Sequence, residues 1–252
     1  MIIREIAMSL LFGIGLTQIA LGQANSAVPN RLRGVHRIVC LGDSITQGGE
    51  APGGYVWLVR RYLAALYPNI EVINAGISGN KSTDMLARFQ RDVLDKHPDL
   101  VTISVGVNDV WHGFYDNHPA GDGPLGIPLT DYRSHVEEMI KRARAAGAGV
   151  VVLSTTVIHE DLQNSENAKL VGYNATLRDL ARKYRAGFID FQKPFQAMIK
   201  AYRTTGARDN LLTGDGVHMN PLGNKVMAYT ILSGLSVPAE LREGVRDVVE
   251  KH

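Results

Sequence analysis

The sequence predicts an α/β fold, a three-layer α/β/α sandwich built on a five-stranded parallel sheet. Three observations carry this. Short apolar runs alternate with helical patterns along nearly the whole chain. The runs are apolar at successive positions rather than every second one, the mark of strands covered on both faces. Each is separated from the next by a helical stretch, which serves as a right-handed crossover.

Taken in order, Arg37-Ile-Val-Cys-Leu41 is the first strand, followed by a glycine-rich turn and a helix over 54–67. Residues 70–74 form the second strand and 83–97 the next helix. Leu100 to Val105 is the third strand. Val110 to Leu129 reads as irregular, with four glycines, three prolines and several aromatics. So long a loop inside a compact domain is usually a functional cover or binding surface. A helix over 130–146 leads to the fourth strand, 149–154. A helix over 167–184 leads to the fifth, 187–191, and two or three helices finish the chain. The last, 238–250, either packs on the domain or serves a dimer. No repeat, low-complexity stretch or polar linker divides residues 28–252, so one domain is expected there.

The N-terminus has a different character. Arg4 precedes an apolar stretch from Ala7 to Leu21, and small residues follow at Gly22, Ala24 and Ala27. Residues 1–27 therefore read as a secretory signal peptide, cut after Ala24 or Ala27. The stretch is interrupted by Thr17 and Gln18 and is short for a membrane span. No cysteine lies directly behind it to carry a lipid. The expected location is the bacterial exterior or periplasm, with no stable membrane insertion after cleavage.

Composition narrows the rest. Basic residues number 27 and acidic residues 25, with no long run of either sign, so nothing points to nucleic acid as a partner. The single cysteine, Cys40, excludes an intrachain disulfide and a cysteine-based zinc site. No His-Glu-x-x-His spacing suggests a metal, and no cofactor is expected.

In an open α/β sheet, ligands sit beyond the carboxyl ends of the strands. Four blocks near those ends have unusual content: Gly42-Asp43-Ser44, Asn74 through Gly79, Gly106-Val-Asn108-Asp109, and, before a C-terminal helix, Asp215-Gly-Val-His218. Serine, histidine and aspartate are the parts of a nucleophilic acyl-transfer site, while glycine and asparagine suit oxyanion donors. Each has a plainer reading. Ser44 could cap a helix, and Gly79 and Asn108 could be turn residues. Two rival motifs fail. Gly76 to Ser82 lacks the glycine a phosphate loop needs before its lysine. No Gly-x-Ser-x-Gly elbow surrounds Ser44.

With these four blocks in this order over residues 38–218, the chain resembles the SGNH, or GDSL, family of serine esterases and lipases. The resemblance implies the flavodoxin-like SGNH hydrolase fold and an acyl-Ser44 intermediate. It implies Ser44 as nucleophile, His218 as general base and Asp215 as the residue orienting that base. The backbone N–H groups of Ser44 and Gly79 and the side-chain amide of Asn108 would form the oxyanion hole. Asp43 either braces nearby loops or touches substrate, and Asp109 reads as a structural partner. Trp111 and His112, directly after the third block, are candidate substrate contacts, though Trp111 and Phe114 could equally be buried cover. His118 and His159 lie in loops near strand ends. Asn-Asp-Val-Trp after Gly106 is similar to the pattern in bacterial family members that remove acetyl groups from xylan. The expected activity is therefore hydrolysis of short acyl, chiefly acetyl, esters on carbohydrate, small or polymeric. A lysophospholipase or thioesterase on this scaffold is the alternative, and a non-catalytic carbohydrate-binding protein a more distant one. Oligomeric state is left open.

Overall fold

The computed structural model describes residues 28–251, so the expected signal peptide lies outside the described residues. Five strands make one parallel sheet: β1 (Arg37–Gly42), β2 (Glu71–Gly76), β3 (Leu100–Ser104), β4 (Gly149–Leu153) and β5 (Gly187–Ile189). Their order is β2-β1-β3-β4-β5, the flavodoxin-like arrangement. The register sets Cys40 of β1 between Asn74 of β2 and Thr102 of β3. The continuous apolar runs are explained by burial on both faces: Ile38, Val39, Leu41, Val101, Ile103 and Val150 through Leu153 are all inside.

The helices are α1 (Ser44–Gly48), α2 (Tyr55–Leu66), α3 (Ser82–Asp92), α4 (Val107–Trp111), α5 (Leu129–Ala145), α6 (Ser165–Lys183), α7 (Gln192–Arg203), α8 (Pro221–Gly234) and α9 (Ala239–Val249). Two groups flank the sheet: α3, α5 and α6 pack in a row, and α2 packs against α8 and α9. Helical spacing of apolar residues drives this. Tyr55, Val56, Leu58, Val59, Tyr62 and Leu63 put one stripe of α2 inside, and Tyr132, Val136, Met139, Ile140 and Ala143 do the same for α5. The Asn220 side chain caps α8 by accepting from the N–H groups of Leu222 and Gly223, with Pro221 at the first helical position.

The sheet reverses direction of growth between β1 and β3, and the crevice beyond their carboxyl ends is the expected ligand position. Both Ser44 and Asn108 follow those two strands directly.

Several boundaries differ from expectation. The helix after β2 stops at Asp92. The backbone breaks at Val93 (φ −121°), and a 3-10 turn over Leu94–Lys96 leads to left-handed His97. β2 runs on to Gly76, whereas β5 has only three residues. The segment expected to be irregular from Val110 begins instead inside α4 and a 3-10 turn, His112–Phe114. A five-residue helix is too short to show a period. Three helices follow β5. The last lies on α2, and the carboxylate of Glu250 accepts from the Tyr62 hydroxyl (2.8 Å), the Tyr229 hydroxyl and the Lys225 ammonium (2.6 Å). Among the described residues no helix is long and apolar enough to cross a membrane.

Candidate active site

The turn from β1 into α1 is tight because Gly42 has no side chain: a Cβ there would lie 1.9 Å from Thr46 Oγ1. The next residue, Asp43, caps α1 by accepting the Ile45 N–H at 2.9 Å. Its carboxyl is 2% exposed; burial, and after it the nearby Asp109 charge, push it up to about 6 despite that hydrogen bond. Asp43 is therefore internal and braces the turn. Because Asp43 is the cap, the Ser44 hydroxyl is left for another partner.

That partner is His218. Ser44 Oγ lies 2.9 Å from His218 Nε2, and His218 Nδ1 lies 2.6 Å from Asp215 Oδ2. Asp215 Oδ1 accepts the N–H groups of Val217 (2.9 Å) and His218 (2.7 Å). Burial raises the Asp215 carboxyl, but the His218 ring and these two amides outweigh it and hold the group down at about 2. An ionised carboxylate at Nδ1 fixes the imidazole proton there and turns Nε2, as acceptor, toward the Ser44 hydroxyl. Asp215 and His218 ride on a hairpin closed by an antiparallel bridge between Thr213 and Met219 and by Gly214 N–H donating to the His218 carbonyl at 2.8 Å.

The glycine block wraps around α1. Asn74 accepts the Gly76 N–H (2.8 Å) and donates to the Thr46 carbonyl (2.6 Å), and Gln47 accepts the Ser78 N–H (2.7 Å). Gly79 has φ +77°, a region that favours glycine, and no atom lies within 4 Å of where its Cβ would be. Backbone conformation rather than crowding thus accounts for the glycine. Asn108 lies on α4, 4% exposed, and donates one amide hydrogen to the Asn80 carbonyl at 3.1 Å. That bond orients the amide and leaves its second N–H. Asp109 accepts the Ser82 N–H with both oxygens (3.0 and 3.2 Å), and burial pushes it up to about 6.

Sequence reasoning missed Arg88. This α3 side chain is 8% exposed and donates to the Gly42 carbonyl (2.8 Å), the Ala75 carbonyl (2.8 Å), Asn80 Oδ1 (2.6 Å) and Asp92 Oδ2 (3.1 Å). One guanidinium therefore joins the ends of β1 and β2 to the turn that meets Asn108. The readable clue was its place on the stripe with Met85 and Phe89, which faces inward.

An aromatic rank borders the hairpin. The Tyr115 and His112 rings stack at 5.0 Å, and Trp111 meets Tyr115 and His159 edge-on at 5.6 and 6.1 Å. His159 in turn lies against Gly216, where a Cβ would be 2.5 Å from its Nδ1. Burial, and after it the Lys81 charge, lower the pKa of His112. His118 stands apart from this rank, half-buried beside Asp122. The following stretch, 115–128, is anchored by main-chain oxygens. Lys81 donates to Leu125 (2.9 Å), Lys169 to Ala120 (3.3 Å) and Gly121, and the Tyr173 hydroxyl to Ile127 (2.5 Å). Among the described residues no group of three or more His, Cys, Asp or Glu could hold a metal ion.

Residues 40–226 match the GDSL-like lipase/acylhydrolase family. The acetylxylan esterase of Geobacillus stearothermophilus is 27% identical over 213 residues, 78% of this chain and 92% of that one. The lipoprotein YqeF of Bacillus subtilis is 24% identical over 227 residues, 80% of this chain and 90% of that one. The crystal structure of the acetyl xylan esterase AlAXEase superposes with a TM-score of 0.72 at 31% identity, covering 80% of this chain and all of that one. With the four blocks gathered at one crevice and most of the chain matched, the protein belongs to the GDSL-like lipase/acylhydrolase family and is a carboxylic ester hydrolase.

Proposed function

We propose that the protein is an exported serine esterase that removes acetyl groups from carbohydrate. The observation that carries the mechanism is the unbroken hydrogen-bonded line from Ser44 through His218 to Asp215. A serine hydroxyl is a weak nucleophile unless a base takes its proton. His218 Nε2 accepts that proton as Oγ attacks the acetyl carbonyl. Asp215 stabilises the resulting imidazolium. The carbonyl oxygen, now negative, is received by the N–H groups of Ser44 and Gly79 and by the second amide hydrogen of Asn108. The tetrahedral adduct collapses, the sugar oxygen leaves with the proton from His218, and acetyl-Ser44 remains. Water then gives a proton to His218 as its oxygen attacks the acetyl carbon, and the adduct collapses by breaking the bond to Ser44 Oγ, which takes the proton back from His218 as acetate leaves.

The substrate assignment is supported by the acetylxylan esterase relatives and by the aromatic rank, whose faces suit the apolar C–H faces of a sugar ring. Trp111 and His112 are its proposed contacts. Export rests on the character of residues 1–27.

Acetate release from acetylated xylan, measured beside hydrolysis of p-nitrophenyl acetate and of a palmitoyl lysophospholipid, tests the reading. Release from the polymer supports it. Turnover of the lysolipid in preference to both acetyl esters makes the protein a lysophospholipase, and inertness toward all three leaves carbohydrate binding without catalysis. Within the mechanism, Asn108→Ala should lower kcat by about 10²–10³-fold. A kcat within threefold of the parent enzyme would remove Asn108 from the oxyanion hole.

A further inference from the structure

We propose that Glu160 is a positioning residue for the reaction, setting where the hairpin that carries Asp215 and His218 stands relative to Ser44. This rests on the catalytic reading of those three residues. Glu160 lies in the connection from β4 to α6 and is 3% exposed. Among the described residues no cation pairs with its carboxylate. Its charge is met by main chain: Oε2 accepts the Leu211 N–H (2.7 Å), and Oε1 accepts the N–H groups of Leu212 and Thr213 and the Thr213 hydroxyl (each 2.8 Å). Three successive N–H groups converging on one anion make a directional cradle, and ionised acceptors form shorter, stronger hydrogen bonds than neutral ones.

The opposite edge of the same three residues is held by Asn220. Its backbone N–H donates to the Leu212 carbonyl (3.0 Å), and its side-chain amide donates to the carbonyls of Leu211 (2.9 Å) and Thr213 (3.3 Å). Every N–H and every carbonyl of residues 211–213 is thus engaged. Beyond Asp215, the N–H of the neighbouring His159 donates to the Gly216 carbonyl at 2.7 Å. Residues 159 and 160 therefore grip the hairpin on both sides of Asp215. Simple filling of space would call for an apolar side chain here, since a buried charge needs several well-placed donors to be tolerated. What the carboxylate adds is register. It fixes the distances from Asp215 to His218 and from His218 to Ser44, and displacements of about 1 Å in such arrangements cost about 10²-fold in rate.

Glu160→Gln tests this, because it keeps the shape and exchanges one acceptor oxygen for an NH2 that must face N–H donors. The expected result on p-nitrophenyl acetate is a 10- to 100-fold loss of kcat with KM within about twofold. Phosphorylation of Ser44 by diethyl p-nitrophenyl phosphate should slow by a similar factor. A purely structural role predicts a loss that disappears when the fold is restabilised by trimethylamine oxide; recovery of parent kcat under that condition overturns the proposal. So does a variant with parent kcat and parent phosphorylation rate. Should the glutamine variant not fold, Thr213→Val removes one donor to the same oxygen and should lower kcat two- to fivefold at unchanged KM, with parent kcat again overturning the proposal. Ser44→Ala run in parallel separates the two levels. If it stays active, the catalytic reading fails; if it is inactive while Glu160→Gln matches the parent, only the role of Glu160 fails.

Discussion

Ser44→Ala is expected to lower kcat for acetyl ester hydrolysis by about a million-fold, the size seen when a serine nucleophile is removed from a comparable triad. The fold should be unaffected. The α1 cap belongs to Asp43, whose carboxylate holds the Ile45 N–H, so the hydroxyl at 44 serves only the line to His218. Kinetics on p-nitrophenyl acetate, with thermal unfolding followed by circular dichroism, separate the two quantities. Unfolding within 2 °C of the parent together with the collapse of kcat is the expected pair. Turnover within tenfold of the parent would mean that another group attacks the ester.

The second large effect concerns stability. Arg88→Met should destabilise the fold by about 3–5 kcal/mol, read as a lower urea midpoint at unchanged slope. Methionine fills much of the volume but leaves the Ala75 carbonyl and the Asn80 side chain without the guanidinium, and leaves the Gly42 carbonyl only the Ile77 N–H at 3.1 Å. Each buried acceptor so orphaned costs about 1–3 kcal/mol. The same change loosens Asn80, whose carbonyl orients Asn108, so kcat should fall as well. Arg88→Lys is expected to recover only part of both, since an ammonium does not present the guanidinium's planar fork. A urea midpoint equal to the parent's would show that the three chain segments hold together without the guanidinium.

The strands were legible because a parallel sheet buried on both faces requires runs such as 37–41 and 149–153 to be apolar throughout. The gathering of Ser44, Asn74, Gly79 and Asn108 was legible for a topological reason: they lie in or just after the carboxyl ends of adjacent strands, so the fold brings them to one edge whatever the details. The boundaries were less visible. The stop at Asp92 depends on the conformation of Val93, which its identity does not announce, and α4 is shorter than two helical turns. The polar braces were hidden most deeply. Arg88 sits in an amphipathic helix where a charged residue ordinarily faces water, and Glu160 follows β4 in a loop where a carboxylate is ordinarily solvated. Arg88 reaches the Gly42 carbonyl 46 positions away, and Glu160 reaches the N–H groups of Leu211 and Thr213, 51 and 53 positions away. Main-chain partners leave no trace in residue identity.

The attachment of residues 115–128 has a consequence for how this enzyme can change. Lys81, Lys169 and Tyr173 hold that stretch by the carbonyls of Leu125, Ala120, Gly121 and Ile127. Every amino acid supplies a carbonyl. The tether is therefore indifferent to which side chains the stretch carries, provided the backbone keeps its path. Away from Gly121, Gly123 and Gly126, where a Cβ would lie within 3 Å of Phe114, Gly113 or His118, variation can explore new surfaces residue by residue while the anchoring is inherited intact. In a directed-evolution library the stretch is the place to randomise, with its three glycines and the three anchoring side chains kept fixed.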